Sequence, residues 1–309
     1  MKIITLTLNP AFDMHCYVEQ FRPFHENVAD VTSFEAGGKG VNISRALACN
    51  GIENLAVVVV GDENSAEFVK MLQKDGIQSV IVETNGRIRE NITLHSGCGL
   101  DETRISFHGF TCDSGILEKI ADEVGEVDAD TIITFTGSIP KGISVDDVKK
   151  FLSVFKGKGA KIVVDSRSFT FKDLAEFKPW FVKPNKDEAE QYLGCEIQSQ
   201  TGGVQAAKKF YDLGIENVLL SLGKDGAVLA SEDGILTAKT PTVEVLSTIG
   251  AGDSMIAGFV GAYAQGMAKT ECLKTAVAYG TAACMQSGTR PPKQEDVAMV
   301  TAKLSVENY

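Results

Sequence analysis

The run Ser247-Thr248-Ile249-Gly250-Ala251-Gly252-Asp253 leads straight into an apolar, helix-like segment, Ser254 to Gln265, in which Met255, Phe259 and Tyr263 share a face. Small residues let a backbone approach an anion closely, and a helix N-terminus presents unpaired N–H groups at the positive end of its dipole. Gly250, Ala251 and Gly252 would then form an anion hole with the Asp253 carboxylate at its rim. Asp253 also suits a helix N-cap, and spacing alone leaves both readings standing. The run is not a Walker A loop, because GxxxxGK[ST] occurs nowhere, and it fails GxGxxG because Met255 stands where the third glycine belongs.

Two further segments carry polar groups at telling spacings. Gly37-Gly38-Lys39-Gly40-Val41-Asn42 precedes the helix-like Ile43 to Cys49, with Lys39 supplying charge and Asn42 both a donor and an acceptor for a hydroxyl-rich molecule. Taken alone, it also reads as a plain turn before a helix. Lys183-Pro184-Asn185-Lys186-Asp187-Glu188 follows the strand-like Trp180 to Val182 and sets an amide and a carboxylate on one face of a helical turn. Taken alone, it reads as a capped, solvated helix start.

Positioning these segments falls to alternating strands and helices. Ile3 to Leu8, Leu55 to Val60, Thr131 to Phe135, Lys161 to Asp165 and Asn217 to Leu222 read as buried strands. Ala66 to Asp75, Val145 to Phe155 and Gln205 to Leu213 read as helices between them. The alternation predicts an α/β fold with a mostly parallel sheet covered on both sides, and ligands beyond the carboxyl ends of its strands. Met14 to Phe21 with Val28 to Ala36, and Arg89 to Ser96 with Glu102 to Gly109, break the pattern as paired short strands. In the second pair Ile92, Leu94, Ile105 and Phe107 alternate with Asn91, Thr93, Arg104, Ser106 and His108, which describes a small half-buried sheet. Such a flap covers either a substrate cleft or its counterpart on a second subunit. The expected organisation is a single α/β domain over 1–309 with a lid formed by 12–36 and 87–110.

Composition narrows the partners. The 309 residues, 44% hydrophobic and 23% charged, exclude disorder, collagen and coiled coil. An excess of acidic over basic residues, 41 against 30, gives a net charge of −11, which repels nucleic acid and anionic membranes. Seven cysteines without a CxxC pair fit a reduced compartment, and four histidines without HExxH give no zinc pattern. The chain opens on a strand-like run rather than a secretory leader, and no stretch approaches the ~20 apolar residues of a membrane span. A cytoplasmic location is expected.

Together these segments resemble the PfkB, or ribokinase, family of carbohydrate kinases, from Leu6 to about Thr289. Gly37 to Asn42 is similar to its N-terminal signature, Lys183 to Glu188 to KPNxxE, and Ser247 to Asp253 to the C-terminal [ST]TxGAGD signature. Gly137-Ser138-Ile139-Pro140 resembles the GSLP turn, and Ser221 to Ala227 the SLGxxGA loop. Leu8-Asn9-Pro10-Ala11-Phe12-Asp13 resembles the opening of the phosphosugar branch, and Arg89-Glu90-Asn91 its TRxN motif, with Ile88 in the threonine's place. Asp165-Ser166-Arg167 and Phe107 to Phe110 look closer to the enzymes acting on fructose 1-phosphate than to those acting on tagatose 6-phosphate.

The resemblance implies a three-layer ribokinase-like sandwich and an ATP-dependent kinase for a ketohexose phosphate, fructose 1-phosphate before tagatose 6-phosphate or fructose 6-phosphate. It implies Asp253 as general base and Gly250, Ala251 and Gly252 as the anion hole. Asp13, Gly38, Lys39, Asn42 and Ser138 would bind the sugar, with Arg89 and Lys39 on its phosphate. Lys183, Asn185, Glu188, Ser221, Gly223, Gly226 and Ser247 would serve the nucleotide, with Asn185 and Glu188 holding Mg2+ through water. K+ activation is known in the wider family, and the lid's exposed edge suggests a homodimer joined through the flaps. A non-catalytic sugar-phosphate sensor would need Asp253 to be idle, and a nicotinamide oxidoreductase lacks its glycine fingerprint.

Overall fold

The computed structural model describes residues 1–97 and 102–309, so Cys98 and part of the expected 87–110 lid range lie outside the described residues. The first half carries β1 (Lys2–Thr7), β2 (Ala11–Val18), β3 (Asp30–Gly37), α1 (Lys39–Cys49), β4 (Leu55–Gly61), α2 (Ser65–Lys74), β5 (Ser79–Thr84), β6 (Arg89–Ser96) and β7 (Glu102–Ile105). Then come α3 (Gly115–Val124), β8 (Thr131–Thr136), α4 (Val145–Gly157), β9 (Lys161–Asp165), α5 (Phe171–Phe177), β10 (Phe181–Val182), α6 (Lys186–Leu193) and α7 (Gln200–Tyr211). The last part carries β11 (Asn217–Ser221), β12 (Ala227–Ser231), β13 (Gly234–Ala238), α8 (Ala251–Ala264), α9 (Lys269–Cys284), α10 (Gln294–Thr301) and β14 (Val306–Asn308).

Among the described residues the large sheet has 10 strands in the order β14-β13-β12-β11-β10-β9-β8-β1-β4-β5. From β5 to β11 every pairing is parallel, and β12, β13 and β14 extend the sheet antiparallel. Successive side chains feed opposite faces. Val164 and Leu220 join Phe68, Leu72, Ile120, Leu152 and Phe210 on one side. Val163 and Leu219 join Ile43, Leu47, Ile256, Phe259, Leu273 and Val277 on the other. The chain is therefore the expected three-layer α/β sandwich. No helix among the described residues is long and apolar enough to cross a membrane.

Strand order reverses between β1 and β8. The crevice beyond their carboxyl ends is where such sheets bind ligands, and it lies under the second sheet, β3-β2-β6-β7. This lid alternates as expected, and each face is partly covered: Asp13, His15, Asn91 and Thr93 of the polar face are buried, and on the apolar face Phe12, Cys16 and Val18 are buried while Val31 and Ile105 are exposed. β7 ends at Ile105 instead of Gly109, because the Phe107 carbonyl accepts from Arg89 Nη1 at 3.0 Å rather than from a strand.

Helix starts differ too. α1 begins at Lys39, so Lys39 and Asn42 belong to a helix and not to the loop before it. α7 begins at Gln200, earlier than Gln205, because Ser199 caps it by accepting from the Gly202 N–H at 3.2 Å.

Candidate active site

α8 begins at Ala251, with Gly250 as its N-cap at φ 79°, a left-handed conformation that favours glycine. Asp253 is thus inside the first turn, where its side chain caps nothing, and the N-cap reading of this residue is corrected. Its Oδ2 instead accepts from Asn42 Nδ2 at 2.9 Å. Burial pushes the Asp253 carboxyl up to about 6, and the Asp165 charge adds to this, while Lys39, the Asn42 hydrogen bond and Lys183 pull the other way. Such a carboxylate is mostly ionised at neutral pH yet basic enough to take a proton, the compromise a general base requires.

Its neighbours hold it in place. Asn42 Oδ1 accepts from Arg45 Nη1 at 3.0 Å, and Arg45 is anchored through Nε to Asp75 at 2.8 Å and by a bond to the Ala36 carbonyl. Lys39 Nζ pairs with Asp165 Oδ2 at 2.8 Å. Burial opposes the charge on Lys39, but Asp165 and Asp253 outweigh it and raise its pKa above the ordinary lysine value. Asp165 is likewise held below the usual carboxylate range: its burial is overcome by Lys39 and Lys183.

Under the lid, Asp13 Oδ1 accepts from Asn91 Nδ2 at 2.9 Å and Arg104 Nη2 at 3.0 Å. Gly37 on the neighbouring strand must lack a side chain, since a Cβ there would lie 2.1 Å from Asp13 Oδ2, and Gly38 is the N-cap of α1 against Thr7. Arg89 donates to the carbonyls of Pro10, Phe107 and Asn9, and at 3.4 Å to Ser138 Oγ, which also accepts from Asn9 Nδ2 at 3.0 Å. Its hydrogen-bond partners are neutral oxygens, so its charge is left for an anion. Ile88, in the place of a threonine, is buried in the core with its backbone held by Asn64. Among the described residues, Asn9 and Asn91 each keep a buried carboxamide oxygen without a partner, as a polar ligand's pocket does.

On the other side of the anion loop lies a cavity of about 800 Å³. Lys183, Asn185, Ser221, Gly223, Gly226, Ala251 and Gly252 line it at the loop end, and Val243, Val245 and Val277 supply apolar wall. Lys183 Nζ would sit 2.9 Å from a Cβ on Gly252, which puts a cation beside the Gly250–Gly252 loop. Ser247 is not at this wall: it is buried, its hydroxyl accepts from the Ile249 N–H, and Thr248 lines the cavity instead.

Asn185 and Glu188 form a capping box on α6, and Glu188 Oε1 accepts from Arg167 Nε at 3.1 Å, so the capped-helix reading of this pair is realised. Among the described residues no three acidic, histidine or cysteine side chains gather into a metal cage. Mg2+ needs none when it arrives on phosphates, and the oxygen-only pair Asn185 and Glu188, with carboxylate lone pairs still unspent, fits a water-mediated contact.

Sequence reasoning gave no site role to Arg104, Asn91, Arg45 and Asp75. Arg104 and Asn91 were findable as the polar half of the lid alternation. Arg45 and Asp75 act through Asn42 across the fold, and nothing local marks them.

The pfkB family carbohydrate kinase model matches residues 9–296. A 1-phosphofructokinase of Haemophilus influenzae is 30% identical over 92% of this chain and 91% of its own length. An ATP-dependent 6-phosphofructokinase isozyme 2 of Escherichia coli is 27% identical over 99% of both chains. The crystal structure of phosphofructokinase-2 from Escherichia coli in complex with substrates and products superposes with a TM-score of 0.91 at 26% identity, covering 98% of this chain and 99% of that one. With the family model matched over residues 9–296 and these relatives covered almost end to end, the chain belongs to the pfkB family of carbohydrate kinases.

Proposed function

We propose that this protein transfers the γ-phosphoryl group of ATP to fructose 1-phosphate, giving fructose 1,6-bisphosphate. The observation that carries the reading is Asp253: a buried carboxylate of raised pKa, oriented by Asn42, at the junction between a nucleotide-sized cavity and the polar underside of a lid.

Asp253 takes the proton of the attacking hydroxyl as that oxygen bonds to the γ-phosphorus. The bond from the γ-phosphorus to the bridging oxygen breaks, ADP leaves with the electron pair, and the proton stays on Asp253 until solvent removes it. The N–H groups of Gly250, Ala251 and Gly252, with Lys183 beside them, meet the charge that develops on the phosphoryl oxygens. Asn185 and Glu188 would hold Mg2+ through water, and the ion would supply further charge neutralisation when bound. Asp13, Gly38, Asn42 and Ser138 hold the sugar, while Arg89 with Arg104 and Lys39 recognises its phosphate. The lid excludes water, the competing acceptor. We read the chain as one kinase domain over 1–309, with 12–36 and 87–110 as its lid.

Similarity to a 1-phosphofructokinase supports the sugar chosen. Similarity to 6-phosphofructokinase isozyme 2 keeps fructose 6-phosphate as the second reading. ADP release from the purified protein with fructose 1-phosphate, fructose 6-phosphate and tagatose 6-phosphate decides between them. The highest kcat/KM is expected for fructose 1-phosphate, and a higher value for either other sugar overturns that choice.

A further inference from the structure

Glu35 stands directly opposite Asp13 on the polar underside of the lid, in the register that pairs β2 with β3. Like charges in that position destabilise a sheet. Asp13 is offset by Arg104, but Glu35 turns elsewhere. Its Oε2 accepts from Thr289 Oγ1 at 2.9 Å, and its Oε1 lies 3.6 Å from Arg290 Nε. Next along the lid, the His15 ring faces Gly288, where a Cβ would lie 3.2 Å from Nε2. Three consecutive residues, Gly288, Thr289 and Arg290, thus meet the lid.

The same segment backs the anion loop. A Cβ on Gly250 would sit 3.9 Å from Thr289 Cα, and the N–H groups of Leu246 and Ser247 donate to the Cys284 carbonyl at 2.8 and 3.3 Å. Thr289 is buried, so its bond to Glu35 is shielded from competing water.

We propose that Glu35 is a positioning residue: through Thr289 it ties the seating of the lid to the geometry of the anion loop at Gly250, so that phosphoryl transfer is fast only when the lid is down. The hydrogen bond to Thr289 is the working contact, since Arg290 is largely exposed and an exposed ion pair contributes little. The proposal rests on the phosphotransfer reading above.

Steady-state kinetics of the full chain, with ATP and the sugar phosphate it uses best, test it. Glu35→Ala is expected to lower kcat about 10-fold, to move KM for the sugar less than about 3-fold, and to raise sugar-independent ADP release relative to transfer. Glu35→Gln, still an acceptor for the Thr289 hydroxyl, is expected to recover most of kcat. Thr289→Val removes the same bond from the other side at similar volume and is expected to reproduce the alanine phenotype, including where Glu35→Ala does not fold. An unchanged kcat in folded Thr289→Val, or a loss confined to KM, overturns the proposal. A wild-type chain that phosphorylates none of the three sugars overturns the phosphotransfer reading itself, and an active wild type with unaffected variants overturns only the role of Glu35.

Discussion

Asp253 stands between two requirements that oppose one another. Burial makes it a stronger base and also makes its charge costly to the fold. Because the folded state binds this proton more tightly than the unfolded chain, its contribution to stability falls as pH rises from about 4 to about 6, and the deficit is fully present above that range. Asp253→Asn is therefore expected to lower kcat by about 10²–10⁴-fold while raising unfolding free energy by on the order of 1–2 kcal/mol in urea titrations at pH 7. A variant that keeps near-full turnover removes Asp253 from the chemistry. The same shift sets the acid limb of the pH profile. Only ionised Asp253 accepts a proton, so kcat/KM is expected to fall below about pH 6 and stay level above it. A profile flat down to pH 5 contradicts the assignment.

The element that presents Asp253 is set by close helix packing. α8 is buried on nearly every side and crosses α9 at glycines: a Cβ on Gly280 would lie 2.4 Å from Met255 Cγ and 3.3 Å from the Ala251 carbonyl. Gly280→Val is expected to cost about 1–3 kcal/mol of stability through overpacking. Because Met255 and Gly280 also line the cavity proposed for the nucleotide, it is expected to raise KM for ATP more than KM for the sugar. Equal effects on both substrates would show that the strain does not reach the cavity. This packing also explains what the sequence hid. The parallel strands were legible because burial on both faces leaves unbroken apolar runs such as Leu55 to Val60. α9 was not, because its small buried residues, Ala276, Ala278, Gly280 and Ala282, carry no apolar-polar period. The Gly250–Asp253 run was legible as a candidate because its members are consecutive. The pairs Asn42 with Asp253 and Lys39 with Asp165, 211 and 126 residues apart, exist only once the sheet is built, and the donor and acceptor read on Asn42 gave no hint of its partner.

At the scale of the molecule, the lid is a sheet with two incompatible faces. Its polar face is turned to the proposed sugar site, whereas Val31 and Ile105 on the other are 58% and 48% exposed, and Phe24 and Val28 in the adjoining turn are fully or almost fully exposed. The alternation read from the sequence marks two faces but not how each is covered: the polar face buries Asp13, His15, Asn91 and Thr93, while the apolar face buries Phe12, Cys16 and Val18 and leaves Val31 and Ile105 outside. Four short strands with an apolar face in water are poorly stable and prone to association. The simplest cover is the same face of a second copy, since a two-fold axis makes such a patch complementary to itself. We therefore expect light scattering to give twice the chain mass of 33.1 kDa. Ile105→Glu would place a carboxylate in the apolar contact and is expected to yield monomers whose large sheet still folds. With its outer face uncovered, the lid would hold Asp13, Asn91 and Arg104 less firmly over the sugar. KM for the sugar phosphate is then expected to rise with little change in KM for ATP, whose cavity lies across the anion loop. A wild-type chain that remains a monomer at assay concentration, with full activity, would show that the lid is stable with its apolar face in water.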